Sequence, residues 1–321
     1  MFRLAALLGL LGLAAATAAI VWSGWPQVEQ ALGEAGWGIA AIAAFHMISL
    51  LVSSAGWYAL VPGARKPSLP MFVYFMWVRA SVNNLMPVAR IGGEVAAVRL
   101  MIAKGMDKNT AIAATVVELT LSIMAIFLFV LIGSVAFALH INNTDITRQL
   151  LWGIVLALPL LMGLIAVQRV GFFGLLLRLF RAAFRKKWLS LADDAAHLDH
   201  AVISLYKDRT RPVICFILQF TAWSLGSVEI WMGLRFLGHA LPMAQALMIE
   251  ALIQASASAA FAIPGALGVQ EAGFLLFGAM LGLPPSIAGA LAVMRRCRDL
   301  LCYAPALIFW QVHEGKKLLR N

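Results

Sequence analysis

The 321-residue chain is 62% hydrophobic and 12% charged, with a mean hydropathy of +0.87, which excludes an ordinary soluble domain. A net charge of +10 and a pI of about 10.0 would suit a nucleic-acid binder. Here the basic residues fall between apolar spans, so they report membrane topology and not nucleic-acid binding.

A bilayer core of about 30 Å takes about 20 apolar residues per helix. Such spans occur at residues 4–22, 38–60, 109–139, 148–168, 212–238 and 286–310. The first follows a lone Arg3 and reads as an uncleaved helix, because so many spans come after it. Residues 23–37, 140–147, 239–245 and 283–285 contain no Lys or Arg and read as outer loops. Arg65 and Lys66, Lys104 and Lys108, the segment 169–211 and the tail from Lys316 to Arg320 belong in the cytoplasm. Both termini are then cytoplasmic, in a multi-pass protein of the bacterial inner membrane. Cys215, Cys297 and Cys302 lie in apolar segments without a Cys-x-x-Cys spacing, so they form no disulfide framework or zinc site and read as small packed residues.

Segments 71–103 and 246–282 each return to the side they start from, and each is too polar for a lipid-facing hairpin. They share a skeleton 177 positions apart: Pro87-Val88-Ala89-Arg90-Ile91-Gly92-Gly93-Glu94 and Pro264-Gly265-Ala266-Leu267-Gly268-Val269-Gln270-Glu271. In the same register Gly105 matches Gly282, Ala111 matches Ala288 and Ser81 matches Ser258. Pro removes a backbone donor and Gly permits backbone angles closed to other residues, so each segment reads as a re-entrant hairpin broken at its proline. Irregular backbone at membrane depth survives only where it is buried in protein or lines a wet cavity. The first hairpin enters from the cytoplasm and the second from outside, which makes the repeat inverted, the arrangement associated with alternating access. The fold expected is an all-α polytopic membrane protein with six full spans and two re-entrant hairpins. Its single transmembrane domain divides into a first helix and outer loop (1–35), repeat 1 (36–139), a connecting span (140–168), a cytoplasmic amphipathic connector (169–211), repeat 2 (212–310) and a cytoplasmic tail (311–321).

The connector opens with Phe173, Leu176, Phe180 and Phe184 on one helical face and Arg178, Arg181 and Arg185 on another. That pattern fits a helix lying on anionic inner-leaflet lipids. Further on, Leu191, Ala195, Leu198, Val202 and Leu205 recur at helical spacing. His197 and His200 near Asp193 read as a solvated polar face and not as a metal site.

Seven arginines (Arg79, Arg90, Arg99, Arg235, Arg295, Arg296, Arg298) and six acids (Glu94, Glu118, Glu229, Glu250, Glu271, Asp299) interrupt the apolar segments. Each costs about 2.5–3.5 kcal/mol or more at a helix centre if left to lipid, so their near balance of sign implies pairing or a polar interior. Arg295 and Asp299 nearly eclipse at helical spacing, with Arg298 beside them. The repeat-equivalent of Arg295 is Glu118, and the two are expected to meet across the pseudo-twofold axis. Such charges serve either function or a buried ion network that sets helix register. Arg235, near the outer end of its span, reads as a snorkelling side chain.

Three strings carry a family resemblance. They are residues 77–94, from Trp77-Val78-Arg79 to Gly92-Gly93-Glu94, then Ile263-Pro264-Gly265-Ala266-Leu267-Gly268-Val269-Gln270-Glu271-Ala272, and Arg295-Arg296-Cys297-Arg298-Asp299-Leu300. Together they resemble the flippase-like transmembrane domain of lysylphosphatidylglycerol synthases, over most of the chain from about Gly36 to Trp310. They look closest to the membrane proteins of bacterial hopanoid-biosynthesis clusters (the HpnL type). The resemblance implies a flippase-like lipid transporter handling a hopanoid or related amphiphile, without the aminoacyl-transfer activity of the full-length synthases. No thiol–His dyad, Ser-centred elbow or phosphate loop points to an enzyme, and no catalytic residue, metal or cofactor is expected.

Transport needs a polar cavity for a headgroup, lined by Asn83, Asn84, Arg90, Glu94 and Glu271 beside the breaks at Pro87, Gly92-Gly93 and Pro264-Gly265. Glu118, Arg295, Arg298 and Asp299 form the charge network, with Arg295 and Asp299 gating or orienting the lipid. Hydroxyl-rich headgroups would use the Asn and Glu side chains, and a phosphate would use Arg. With no ATP site, uphill transport would draw on an ion gradient, through protonation of Glu94 or Glu271. The alternative is a non-transporting scaffold for lipid-biosynthesis enzymes, docked through the connector. The topology is open to test: cysteines introduced at Gly33 and Asn143 should label from outside in intact cells. Those at Lys66, Lys108 and Lys187 should label only after permeabilisation, and labelling of Lys108 and Pro285 from one face would refute the inverted repeat.

Overall fold

Long apolar runs punctuated by Gly and Pro produce a bundle in which long helices alternate with broken short pairs. The structure, a computed structural model, describes residues 25–63, 66–86, 92–141, 148, 159, 163, 189–260, 263 and 266–318. Among them the helices are α1 (Trp25–Ala35), α2 (Gly38–Leu60), α3 (Leu69–Leu85), α4 (Gly92–Ala103), α5 (Lys108–Ile141), α6 (Leu189–Lys207), α7 (Thr210–Phe236), α8 (Met243–Ala259), α9 (Val269–Met280) and α10 (Pro285–Leu318), with no strand. The span expected at 4–22, nearly all of that at 148–168, and the basic first part of the connector lie outside the described residues.

Two groups of four helices share one plan. α4 and α9 have 12 residues each, α5 and α10 have 34 each, and both pairs start 177 positions apart. Between them the backbone closes the same way, with Gly105 at φ 89° and Gly282 at φ 82°. The Met106 N–H donates to the Met101 carbonyl at 3.1 Å and the Leu283 N–H to the Gly278 carbonyl at 2.9 Å. This is a left-handed helix end that glycine adopts without penalty. α3 and α8 have 17 residues each but start 174 positions apart, so the second break is three residues longer than the first. The expected match of Ser81 with Ser258 therefore fails, because the ungapped register holds only after the break.

The packing follows the same exchange. α2 lies along α7, α3 packs on α2, α4 and α10, and α8 packs on α7, α9 and α5. α4 contacts α5 as α9 contacts α10, and α2 meets α10 as α7 meets α5. Residues 25–35 are a helix and not the loop expected; α1 packs against α10 and α7. In α6, Leu198, Val202 and Leu205 are buried and the helix packs on α5, while His197 and His200 are exposed. α5 opens on Asp107, whose carboxylate accepts from the Thr110 N–H and hydroxyl, each at 3.0 Å, bonds that hold its pKa below the usual value. At the end of α2 the Lys66 ammonium donates to the Tyr58 and Val61 carbonyls, placing a cation on the negative end of the helix.

The burial pattern reverses that of a soluble protein. Glu118 is 1% exposed and Arg298 5%, whereas Ile308 is 63% and Leu276 58% exposed. Charged groups are thus buried beside an apolar core while many further large apolar side chains face outward, the distribution a bilayer imposes. Three described helices, α2, α5 and α7, are long and apolar enough to cross a membrane. α10 matches α5 in length, but Arg295, Arg296, Arg298 and Asp299 interrupt its apolar run. Two apolar clusters brace the bundle, one around Trp57, Phe72, Phe75 and Met101, the other around Phe137, Leu234, Ile253 and Phe274.

Close approach of α5 to α8 depends on Gly133, where an added Cβ would overlap the Ala251 Cβ. Gly133→Ala should cost about 1–3 kcal/mol through overpacking. The drop should appear in thermal unfolding of the detergent-solubilised protein, with the outward-facing Val135→Leu as a control that leaves it unchanged.

Candidate functional site

The buried charges of the two longest helices interrupt their inward apolar faces, Glu118 between Val117 and Leu121 on α5 and Arg295 to Asp299 between Met294 and Cys302 on α10. Glu118 and Arg295 are each the eleventh residue of their helix, about 15 Å from its start at 1.5 Å per residue. Around them lies a cavity of about 360 Å³ lined by α2, α3, α4 and α5 of the first group and α7, α8, α9 and α10 of the second.

On one side, Arg79 of α3 donates to Glu118 of α5 and lies 2.7 Å from Glu94 of α4. Gln219 of α7 donates to the second Glu118 oxygen at 2.6 Å and accepts from the Ser53 hydroxyl of α2 at 2.8 Å. Asn83 links α3 to α4, donating to Glu94 at 3.2 Å and accepting from the Gly93 N–H at 2.9 Å. A Cβ on Gly93 would run into the Arg79 carbonyl, so only glycine allows this contact.

On the other side, Arg295 of α10 donates to both oxygens of Glu250 of α8, and Gln254 donates to Glu250 at 2.7 Å. Arg298 pairs with Glu229 of α7 and with Asp299. Arg296 pairs with Glu271 of α9 and lies 3.6 Å from Asp299. His46 of α2 stands between Glu229, at 2.8 Å, and the Tyr303 hydroxyl, at 2.7 Å. Each of the four guanidiniums thus meets a carboxylate, and six carboxylates (Glu94, Glu118, Glu229, Glu250, Glu271, Asp299) surround the four.

A model of the family described as Lysylphosphatidylglycerol synthase TM region matches residues 9–306. The chain belongs to this family. No curated protein and no solved structure matches the chain. As a member of the lysylphosphatidylglycerol synthase TM family, with outward apolar helices, it is a membrane protein related to lipid modification or transport.

In this family member, Asn83, Asn84, Glu94, Glu118, Arg295, Arg298 and Asp299 all line the cavity. Glu271 does not; its neighbour Gln270 does. Gly92 and Gly93 begin α4. Pro87, Arg90, Pro264 and Gly265 lie outside the described residues. The expected pair of Glu118 with Arg295 does not form. Each instead takes a partner from the adjacent hairpin, Arg79 and Glu250 respectively, because α3 and α8 stand nearer than the other long helix.

The repeated glutamates also have a local cause. Glu94 and Glu271 are each the third residue of their helix, where a carboxylate favours the helix start. Glu271 acts there directly, accepting from the Gly268 N–H at 2.7 Å. Glu94 turns instead to Arg79 and Asn83. Sequence reasoning about the site missed His46, Gln219, Gln254 and Tyr303, and counted Glu229 and Glu250 among the intramembrane acids without placing them in the site. Their only signal is a polar residue inside an apolar run, without a repeat partner to single it out.

Removing one partner from a buried pair strands the other. Arg79→Gln should destabilise by about 3–5 kcal/mol. Adding Glu118→Gln should restore part of that, measured as the coupling term of a thermal-unfolding cycle. The corresponding cycle of Glu118 with Arg295 should show no direct coupling.

Proposed function

We propose that the chain is a flippase-like lipid transporter of the bacterial inner membrane, with both termini cytoplasmic. The observation that carries this is a polar, charge-lined cavity between two matched groups of helices whose outer faces are apolar. At about 360 Å³ the cavity is at the small end of ligand sites, which run from about 300 to 1,000 Å³. It suits a headgroup while the apolar body stays in the bilayer.

The equal lengths of α4 and α9 and of α5 and α10, and the exchangeable packing, support an inverted repeat with re-entrant hairpins and six full spans. In this reading the two access states arise by exchange of conformation between the halves, and the role requires no catalytic step. Among the residues lining the cavity, the carboxylates Glu94, Glu118, Glu229, Glu250 and Asp299 outnumber the carboxylate-bound guanidiniums Arg79, Arg295 and Arg298, which favours a hydroxyl-rich headgroup over a phosphate. A hopanoid or related amphiphile, which resemblance to the hopanoid-cluster proteins suggests, fits that chemistry. Anionic inner-leaflet lipids are the proposed partners of the basic connector.

The test is the leaflet distribution of candidate lipids in vesicles carrying purified protein. Glu94→Gln, at the cavity, should abolish most redistribution while the protein level stays normal. Glu271→Gln should act mainly by loosening the start of α9, visible as a lower unfolding temperature. Full transport by Glu94→Gln would refute the cavity as the lipid route.

A further inference from the structure

Among the described residues one imidazole lines the cavity, and its contacts differ in kind from the ion pairs around it. His46 lines the cavity with 15% of its side chain exposed. Its Nδ1 faces Glu229 of α7 at 2.8 Å, and its Nε2 faces the Tyr303 hydroxyl of α10 at 2.7 Å. An ionised carboxylate only accepts, so with the ring neutral Nδ1 carries the hydrogen and Nε2 accepts from the Tyr303 O–H. A proton added at Nε2 forms an N–H that donates to Tyr303. The Tyr303 hydroxyl then rotates to accept, keeping its own hydrogen and turning it away from the imidazole.

The charge balance favours that step. Arg298 is shared by Glu229 and Asp299, and Arg296 of the Glu271 pair lies 3.6 Å from Asp299. Together these two guanidiniums and three carboxylates carry one net negative charge with His46 neutral, which the imidazolium cancels. Arg79 of α3 likewise stands between two carboxylates, Glu118 of α5 and Glu94 of α4, while Arg295 of α10 and Glu250 of α8 balance one to one. His46 makes its contact to Glu229 of the Arg298 group and not to the Arg79 group. Glu94 and Glu271, the carboxylates the sequence offered for coupling, are each tied to a guanidinium. Imidazole is the side chain that changes charge between about pH 5 and 8.

The matched plan of the two groups makes His46 distinctive. It is the ninth residue of α2, and Gln219 is the tenth of α7. Gln219 crosses to Ser53 of α2 and Glu118 of α5; His46 crosses to Glu229 of α7 and Tyr303 of α10. These are the same two junctions with the groups exchanged, but only one of the two side chains titrates. If the access states arise by that exchange, matched contacts stabilise both equally, and a proton on His46 biases one of them.

We infer that His46 is the proton-binding site through which a transmembrane proton gradient drives lipid movement by this protein, an inference that rests on the transport reading. With one proton per lipid, a gradient of one pH unit sets a leaflet ratio of up to about tenfold.

The experiment uses the full chain in phosphatidylcholine vesicles with a tail-labelled neutral glycolipid as probe, with and without that gradient. The wild type should shift the leaflet ratio under the gradient, and His46→Gln should show the same ratio with and without it. A wild-type ratio that ignores the gradient, or a gradient response that persists in His46→Gln, overturns the inference and leaves lipid transport standing. If the wild type moves no probe, transport fails separately, and the proton site is decided by nitrogen-15 histidine spectra of the solubilised protein. The ring signal missing from His46→Gln spectra should pass from neutral imidazole to imidazolium as the pH is lowered across the range in which the protein stays folded. Tyr303→Phe should shift its midpoint, and that variant also serves if His46→Gln does not fold. A His46 ring unchanged across the range overturns the proposal.

Discussion

Everything in this molecule is organised around the cost of holding ions in an apolar slab. A guanidinium left in hydrocarbon loses its water and gains nothing, so each one in the network is met by a carboxylate from another helix or an adjacent residue. The pairs fix where the short helices dock. Arg79 ties α3 to α4 and α5, and Glu250 ties α8 to α10, so each broken hairpin is held to the long helix that follows it. Apolar packing between helices would tolerate sliding, whereas the bidentate Arg295–Glu250 pair, the two-way Arg79 contact and the Asn83 bridge set the register.

The two groups are alike in backbone and unlike in charge. Helix lengths, the break before a glutamate at the third helical position, and the glycine closures at Gly105 and Gly282 all recur. The charges do not: Glu118 and Arg295 occupy equivalent places with opposite sign, and Arg298 and Asp299 have Leu121 and Ser122 as counterparts. A repeated backbone with unequal side chains gives two similar arrangements that chemistry can tell apart. That is what a device with two access states requires, and it is where the proposed role of His46 arises.

The repeated motif also separates structural from functional use of one residue type. Both glutamates stabilise a helix start after a break. Glu271 spends its carboxylate on the Gly268 N–H and Arg296. Glu94 reaches back to α3 and so faces the cavity. Equal spacing in sequence thus led to unequal positions in space, because Arg79 and Asn83 of α3 draw Glu94 while the Gly268 N–H and Arg296 hold Glu271.

Much was legible in the sequence because it follows from local chemistry. Hydropathy marked α2, α5 and α7; the Pro-to-Glu skeleton located both breaks; and the intramembrane charges were countable before any packing was known. The 177-residue register of the sequence recurs in the starts of α4 and α9 and of α5 and α10, since helix ends and glycine closures depend on near neighbours. Partner choice did not follow. Arg79 with Glu118, Glu250 with Arg295, and His46 between Glu229 and Tyr303 join residues 39 to 257 positions apart. Which charge meets which depends on how close the hairpins come to the long helices, and that distance is set by packing such as Gly93 against Arg79 and Gly133 against Ala251. By itself the sequence determined a helical membrane protein with a repeated, broken and charged interior. Only the tertiary structure decided which of those charges share a cavity, because proximity between helices is a property of the whole packed bundle.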